Sequence, residues 1–406
     1  MQNSINIELV QLIERPYSSP IEWKEQNNYL NGALLTGTEE MSQFSLAGWN
    51  IAESISISDD KSSWETIASL IDKYSFTKLP FPANRCGWIG YLSYELGRTL
   101  EVLPDDTIQN YSIPNAIFTL YKNYRYWDNI DKKCWEIEFL LEAENSAKRT
   151  SFPKLKLGEI KQECSKDEYC HKVETIQDNI LNGDVYEVNL TQQFTANFSG
   201  STWKLFKALY SQNRAPFSAY LEYENFSICS ISPEEFLHCE DRNILTRPIK
   251  GTAPRGKSLL EDKKQKEALL SSEKDLAELH MIVDLLRNDL SKVAEIGSVN
   301  VLNPNQLQTF SNVFHLVGVI EGRLKKEISM VELIKACFPG GSITGCPKIA
   351  SMTVIEKMET YKRQLYTGSI FIMNNRFLES SIAIRTGIIQ DNRLFVNSGG
   401  AITIDS

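Results

Sequence analysis

Lys250 sits between Pro248-Ile249 and Gly251-Thr252, at the end of a strand-like run and before a glycine turn. If desolvated there, its amine would lose a proton more readily and act as a nucleophile or base. Taken alone, Arg247 to Thr252 also reads as a solvated loop. Sixteen residues upstream, Ser232-Pro233-Glu234-Glu235-Phe236 sets a carboxyl near an apolar wall, where a raised pKa would suit a general acid. Acidic residues after Ser-Pro are also ordinary helix starters, so spacing leaves both readings open.

Asp275 and Glu278 are three apart in a helical stretch and project from one face, so both could reach a cation, although such pairs are usually solvated. The run Phe338-Pro339-Gly340-Gly341-Ser342-Ile343-Thr344-Gly345-Cys346-Pro347-Lys348 would offer backbone N–H groups and a cation to an anion. It lacks the spacing of a Walker loop, and structural Gly-Pro turns are its plainer reading. His315, within Val313-Phe314-His315-Leu316-Val317, reads by default as a satisfied core histidine. Arg385, in Ile382-Ala383-Ile384-Arg385-Thr386, reads as a guanidinium on a central strand that needs an anion. That anion is a substrate carboxylate or a buried ion-pair partner.

The elements that must hold these groups are legible in the periodicity. Ser165 with Glu168 forms a capping-box signature, Val173, Ile176, Ile180 and Leu181 share a helical face, and Gly183 stops the helix. From Val185 the period becomes two: Tyr186, Val188, Leu190, Phe194 and Phe198 alternate with Glu187, Asn189, Thr191 and Gln193. The plainer expectation for that polar face is solvent. Lys274 to Val293 reads as a helix, and Ile382 to Asn397 as a hairpin turning at Asp391-Asn392. Long strand pairs mixed with helices predict an α/β (α+β) protein. A polar seam from Ala143 to Ser165 divides it into an N-terminal region, 1–150, and a chemistry-bearing region, 160–406.

With 406 residues, 42% hydrophobic, the chain can bury a large core. A net charge of -9 argues against a surface built for nucleic acid or anionic membrane, yet allows a small anionic substrate in one cationic pocket. Met1 to Pro20 has no unbroken apolar segment, and no stretch approaches a membrane span, so a cytoplasmic protein is expected. The eight cysteines form no C-x-x-C pair and no zinc spacing, which predicts reduced thiols. None sits in a Gly-x-Cys-x-Gly elbow, so ammonia drawn from glutamine would have to come from another chain.

In this order, Gly183-Asp184-Val185-Tyr186-Glu187-Val188-Asn189-Leu190-Thr191, Ser-Pro-Glu, Pro-Ile-Lys-Gly-Thr, Met281-Ile282-Val283-Asp284-Leu285 with Arg287-Asn288-Asp289, Phe-Pro-Gly-Gly-Ser and Ala383-Ile384-Arg385-Thr386 resemble the chorismate-utilising family, which includes anthranilate synthase and aminodeoxychorismate synthase component I. The match is specific from about Ser165 to Ser406 and weaker before it. The resemblance implies two antiparallel-rich sheets packed face to face and flanked by helices. It implies the aminodeoxychorismate branch, because anthranilate synthases carry Ala where Lys250 stands. Lys250 would attack C2 of chorismate while Glu234 protonates the departing C4 hydroxyl, and ammonia from a glutamine amidotransferase would then enter at C4.

By the same resemblance Glu278, with Asp275, would hold Mg²⁺, and His315 would lie against the ring. Arg385, Tyr366, Gly399 and Gly400 would clamp the enolpyruvyl carboxylate, with Ser342, Thr344 and Thr252 beside the substrate. The base that isochorismate and salicylate synthases use, a Lys at position 187, is absent.

Departures from the pattern are Glu187 for Gln, Ala253 for Arg, Cys346 for Ala, Ala401 for Gly and Phe371 for Gly. The chain given also stops at Asp405-Ser406, where the family continues into further acidic residues. That leaves two alternatives beside the leading one: an anthranilate synthase, and a shortened chain that binds chorismate or a glutaminase without turnover. Leu34-Leu35-Thr36-Gly37 lacks the Leu-Leu-Glu-Ser feedback motif of the anthranilate synthases, which disfavours tryptophan inhibition.

Overall fold

β-branched and aromatic residues, alternating and broken by short polar turns, build this chain mainly from long antiparallel strands. The computed structural model describes residues 4–38, 41–57, 63–149, 151–310 and 312–406. The elements that position the site are β1 (Ala33–Thr36), β2 (Phe44–Ile57), β3 (Trp88–Leu92), β4 (Ala116–Asp128), α1 (Lys166–Leu181) and β5 (Glu187–Ser199). They continue as β6 (Phe217–Glu222), β7 (Phe226–Ser232), β8 (Glu235–Glu240), β9 (Asn243–Arg247), β10 (Ile249–Pro254), α2 (Glu273–Val293), β11 (Asn300–Thr309) and β12 (Val313–Arg323). Last come β13 (Gly345–Cys346), α3 (Lys348–Met358), β14 (Ser369–Met373), β15 (Phe377–Ile382), β16 (Thr386–Gln390) and β17 (Arg393–Ile402).

These strands form one hydrogen-bonded ribbon. From β5 the antiparallel neighbours run β17, β16, β7, β6, β1, β2, β4 and β3. They continue through β14, β15, β8, β9 and β12, and β12 also carries β10 and β11. The ribbon doubles back through the long strands β2 and β4, giving two layers that are continuous at that bend. Between the layers Tyr91 of β3 meets Phe226 of β7 edge-on at 6.2 Å. One apolar core includes Leu221 and Ile228 from one layer and Phe371 and Leu237 from the other, all nearly inaccessible. Each such side chain contributes about 1.5–3 kcal/mol through burial. The two halves of the sequence interleave in this sheet, β1 pairing with β6 and β3 with β14.

α1 begins as its residues predict: the Ser165 hydroxyl accepts the Glu168 N–H, and the Glu168 carboxylate accepts the Ser165 N–H. Gly183, at φ +83°, follows its end. α2 buries Leu279, Ile282, Val283, Leu286, Leu290 and Val293 at helical spacing. It lies close against β12 at Gly318, where an added Cβ would stand 2.3 Å from Val283. No helix among the described residues is long and apolar enough to cross a membrane.

Two expectations are corrected. The polar face of β5 is not solvated, because Glu187, Asn189, Thr191 and Gln193 are all buried. Its opposite, apolar face packs Val188 and Leu190 with Ile176 of α1 and Ile355 of α3, so the strand is covered on both sides. Arg385 is not within a strand. It occupies the bend between β15 and β16 at φ +50°, where the chain leaves its pairing with β8 and β14 for β7 and β17. The hairpin of β16 and β17 does turn at Asp391-Asn392, both at positive φ as a two-residue turn requires.

Beside the site, β10 carries a bulge. Lys250 lies opposite Leu316 and Thr252 opposite His315, leaving Gly251 as the extra residue at φ +73°. An added Cβ there would meet Asp275 at 3.0 Å. Gly251→Ala is expected to lose roughly 1–3 kcal/mol of stability from the left-handed backbone alone. Urea unfolding checks this, with the midpoint falling and the slope unchanged.

Candidate active site

The bulge and the ribbon's fold bring its two ends together. Lys250 of β10 extends its ammonium to Glu187, the first residue of β5, at 2.5 Å. Lys250 is 8% exposed and Glu187 is fully enclosed, so the contact is a buried ion pair. The second carboxylate oxygen of Glu187, Oε2, is buried and has no hydrogen-bond partner among the described residues. Glu187 is held by backbone pairing with Cys346 of β13, and its carbonyl accepts the Ser351 hydroxyl at 2.9 Å.

Glu234 lies in the link between β7 and β8, within reach of the charge of Lys250. That link is fixed by the Ser232 hydroxyl donating to the Ile382 carbonyl at 2.6 Å and by the Ile382 N–H donating to the Glu234 carbonyl at 3.1 Å. Burial pushes the Glu234 carboxyl up to about 7, opposed by the Ser342 hydroxyl, the charge of Lys250 and the Ile249 backbone. Ser342 donates to its Oε1 at 2.5 Å, so this hydroxyl is committed to the acid.

His315, opposite Thr252 across the β10–β12 ladder, shares a 2.8 Å hydrogen bond between its Nδ1 and the Thr252 hydroxyl. Burial and then the positive charge of Arg385 lower it to about 4, so the ring is neutral at physiological pH. Arg385 itself is open to solvent at its bend, yet the surrounding chain is dense enough that desolvation holds its guanidinium below the ordinary value. No carboxylate pairs with it among the described residues.

Glu278 of α2 is half-buried, and burial raises its carboxyl; the charge of Lys250 opposes that rise and Glu187 adds to it. Asp275, one turn earlier, lies against Gly251. Among the described residues no three His, Cys, Asp or Glu side chains gather into a group that could hold a metal by themselves. Magnesium commonly takes one or two protein carboxylates and completes its shell with substrate and water oxygens. The half-buried Glu278 with Asp275 fits that partial role.

The remaining predicted residues are divided. The buried Tyr366 phenol lies by Thr191 and the Gly399 backbone, so Tyr366 and Gly399 are brought together. Gly399 and Gly400 pair with Thr191 and Leu190 of β5, and Gly400 faces open space. Thr344 is fully buried, and its hydroxyl donates to the Gly340 carbonyl at 3.0 Å. Lys348 corrects an expectation: it does not offer a free cation from the glycine loop. Its ammonium is held by Asp289 at 2.6 Å and the Cys337 carbonyl at 2.9 Å, tying α3 to α2.

One buried group escaped the sequence reading. Arg363 pairs with Glu359 at 2.7 Å and donates to the carbonyls of Ile343 and Asn189 at 2.8 and 2.6 Å. Glu359 accepts the Thr191 N–H at 3.0 Å. This knot fastens the glycine loop, β5 and the Tyr366 segment. The four-residue spacing of Glu359 and Arg363 was visible, but it is read as a solvated helical pair unless burial is known.

Residues 31–406 match the family described as chorismate binding enzyme. Aminodeoxychorismate synthase component 1 of Escherichia coli is 37% identical over 339 residues, covering 81% of this chain and 73% of that protein. An anthranilate synthase component 1 of Haloarcula marismortui is 33% identical over 358 residues, covering 81% and 72%. Among solved structures, anthranilate synthase component I from Streptococcus pneumoniae superposes with a TM-score of 0.80 at 27% identity, covering 90% of this chain and 88% of that one. On a match spanning nearly the whole sequence, and a fold shared with solved members, this chain belongs to the family of chorismate-binding enzymes.

Proposed function

We propose that the chain is an aminodeoxychorismate synthase component I, converting chorismate and ammonia to 4-amino-4-deoxychorismate and water. The observation that carries this reading is Lys250, buried beside Glu234, whose carboxyl keeps its proton to about pH 7. The Lys250 amine bonds to C2, the ring double bonds shift, and the C4–O bond breaks as Glu234 gives its proton to the leaving hydroxyl. Ammonia then bonds to C4, the double bonds shift back and the lysine departs. The Glu234 carboxylate takes up the proton that the new C4 ammonium sheds.

The other side chains orient and neutralise. Arg385, paired with no carboxylate among the described residues, supplies the fork for a substrate carboxylate, with Tyr366 and the Gly399–Gly400 backbone beside it. Neutral His315, oriented by Thr252, lies against the ring, and Ser342 aims the acid. Thr344 keeps the glycine loop in place from within. Glu278 and Asp275 would hold Mg²⁺, whose chemistry is to stabilise charge on the ring carboxylate as a Lewis acid. A glutamine amidotransferase subunit would deliver ammonia, and the setting is a cytoplasmic one in the route to para-aminobenzoate and folate.

The kinship to anthranilate synthases gives the competing outcome. Incubation with chorismate, Mg²⁺ and a large excess of ammonium at neutral pH, where Glu234 still carries its proton, is expected to yield aminodeoxychorismate, and anthranilate as the sole product would overturn the proposal. Lys250→Ala is expected to lower turnover by at least about two to three orders of magnitude and to abolish a covalent adduct in intact-mass spectra. Glu234→Gln is expected to lower kcat by roughly 10²–10⁴-fold. Because the acid must be protonated, its limb of the pH–rate profile should fall as pH rises through about 7, and that limb should vanish in the variant.

The same carboxyl also bears on stability. The folded state keeps the Glu234 proton to about pH 7, while the unfolded chain releases it near the ordinary glutamate value of 4.5. Stability therefore falls as pH rises across that window. Glu234→Gln should raise the melting temperature relative to the parent more at pH 8 than at pH 4.

A further inference from the structure

From the Glu187–Lys250 contact and the unpartnered second oxygen of Glu187 we infer that Glu187 is the internal base of the site, taking a proton from Lys250 before it attacks and returning it when lysine departs. This rests on the proposed role of Lys250 and adds a residue to it. An ammonium has no lone pair, so Lys250 must lose a proton before it bonds to carbon. Among the described residues its hydrogen-bonded carboxylate is Glu187, at 2.5 Å and closed off from solvent. Oε1 is in place to receive the proton, and the pair becomes a neutral amine beside a neutral carboxylic acid.

The proton count closes. Lys250 attacks as a free amine and leaves as a free amine, while the acid on Glu187 holds the borrowed proton throughout the adduct's life. Glu234 serves only the C4 side, giving a proton to the hydroxyl and recovering one from the incoming nitrogen. Two carboxyls thus handle two separate protons.

The neighbours favour this division. Glu234 from the β7–β8 link is committed to the Ser342 hydroxyl. His315 of β12 is bonded to Thr252 and lowered to about 4, which leaves it a poor proton acceptor. Asp275 of α2 lies against Gly251, Glu278 feels the charge of Lys250 but makes no hydrogen bond to it among the described residues, Cys346 of β13 carries a thiol raised by burial, and Arg385 is a cation. Glu187 is the group in this set that touches the Lys250 ammonium and has an oxygen to spare.

The test measures formation of the chorismate–lysine adduct, without ammonia, by intact mass from about pH 6 to 9. In the parent protein the proton moves within the pair, so the reactive fraction does not depend on bulk pH. In Glu187→Gln the amine must lose its proton to solvent. The ratio of variant to parent rates, in which the Glu234 limb largely cancels, should rise with pH, by up to about tenfold per unit. Glu187→Asp, checked for folding by circular dichroism alongside Gln, should keep the parent's pH-independent ratio at a lower rate. A ratio for Glu187→Gln that stays flat, whether near one or near zero, would falsify the inference while leaving the adduct chemistry standing. Absence of any adduct in the parent protein, or an adduct that survives Lys250→Ala, instead overturns the proposed role of Lys250.

Discussion

A lysine ammonium removed from water needs a counter-charge, and the site is organised around how that need is met. Desolvating an ion costs several kcal/mol even after relaxation, and attraction offsets this only when partner and geometry are both good. Here the partner comes from the opposite end of a long ribbon of strands: Glu187 opens β5, where the ribbon begins, and Lys250 lies on β10, beyond the last turn of the ribbon. The contact therefore exists only when the sheet has doubled back completely. It joins the two ends of the ribbon in one interaction.

Around that pair, burial alone assigns different protonation states to groups of ordinary chemistry. Desolvation disfavours charge, so Glu234 keeps a proton and His315 gives one up, each with a hydroxyl neighbour that fixes its direction. Arg385 cannot discharge, and no carboxylate pairs with it among the described residues, so it remains a cation available to an anion. A proton-bearing acid, a neutral ring and a free guanidinium thus sit around one amine, an arrangement suited to an anionic substrate that must lose a hydroxyl.

A second class of buried charge does none of this. Arg363 with Glu359, and Lys348 with Asp289, spend their hydrogen bonds on carbonyls and carboxylates of the protein. They hold the glycine loop and its helix in register with β5. Breaking such a pair leaves the other charge buried and unmatched, which is why these knots constrain the site as firmly as any residue that faces substrate.

The sequence by itself determined the local elements and the family. The Ser165 capping box, the helix running to Val293 and the turn at Asp391-Asn392 depend on neighbours within a few residues, and each formed as read. The ordered motifs from Gly183 onward likewise needed no coordinates to place the chain among chorismate-binding enzymes. Only the tertiary structure decided which charges are paired. Glu187 and Lys250 are 63 residues apart, and nothing in either segment records the other. The polar face of β5 looked solvated because alternation reports that a strand has two faces, not what covers them. Lys348 looked free and Arg385 looked strand-bound for the same reason: burial, counter-charge and a change of strand partner arise from segments distant along the chain, and those quantities set the chemistry of an ionisable group.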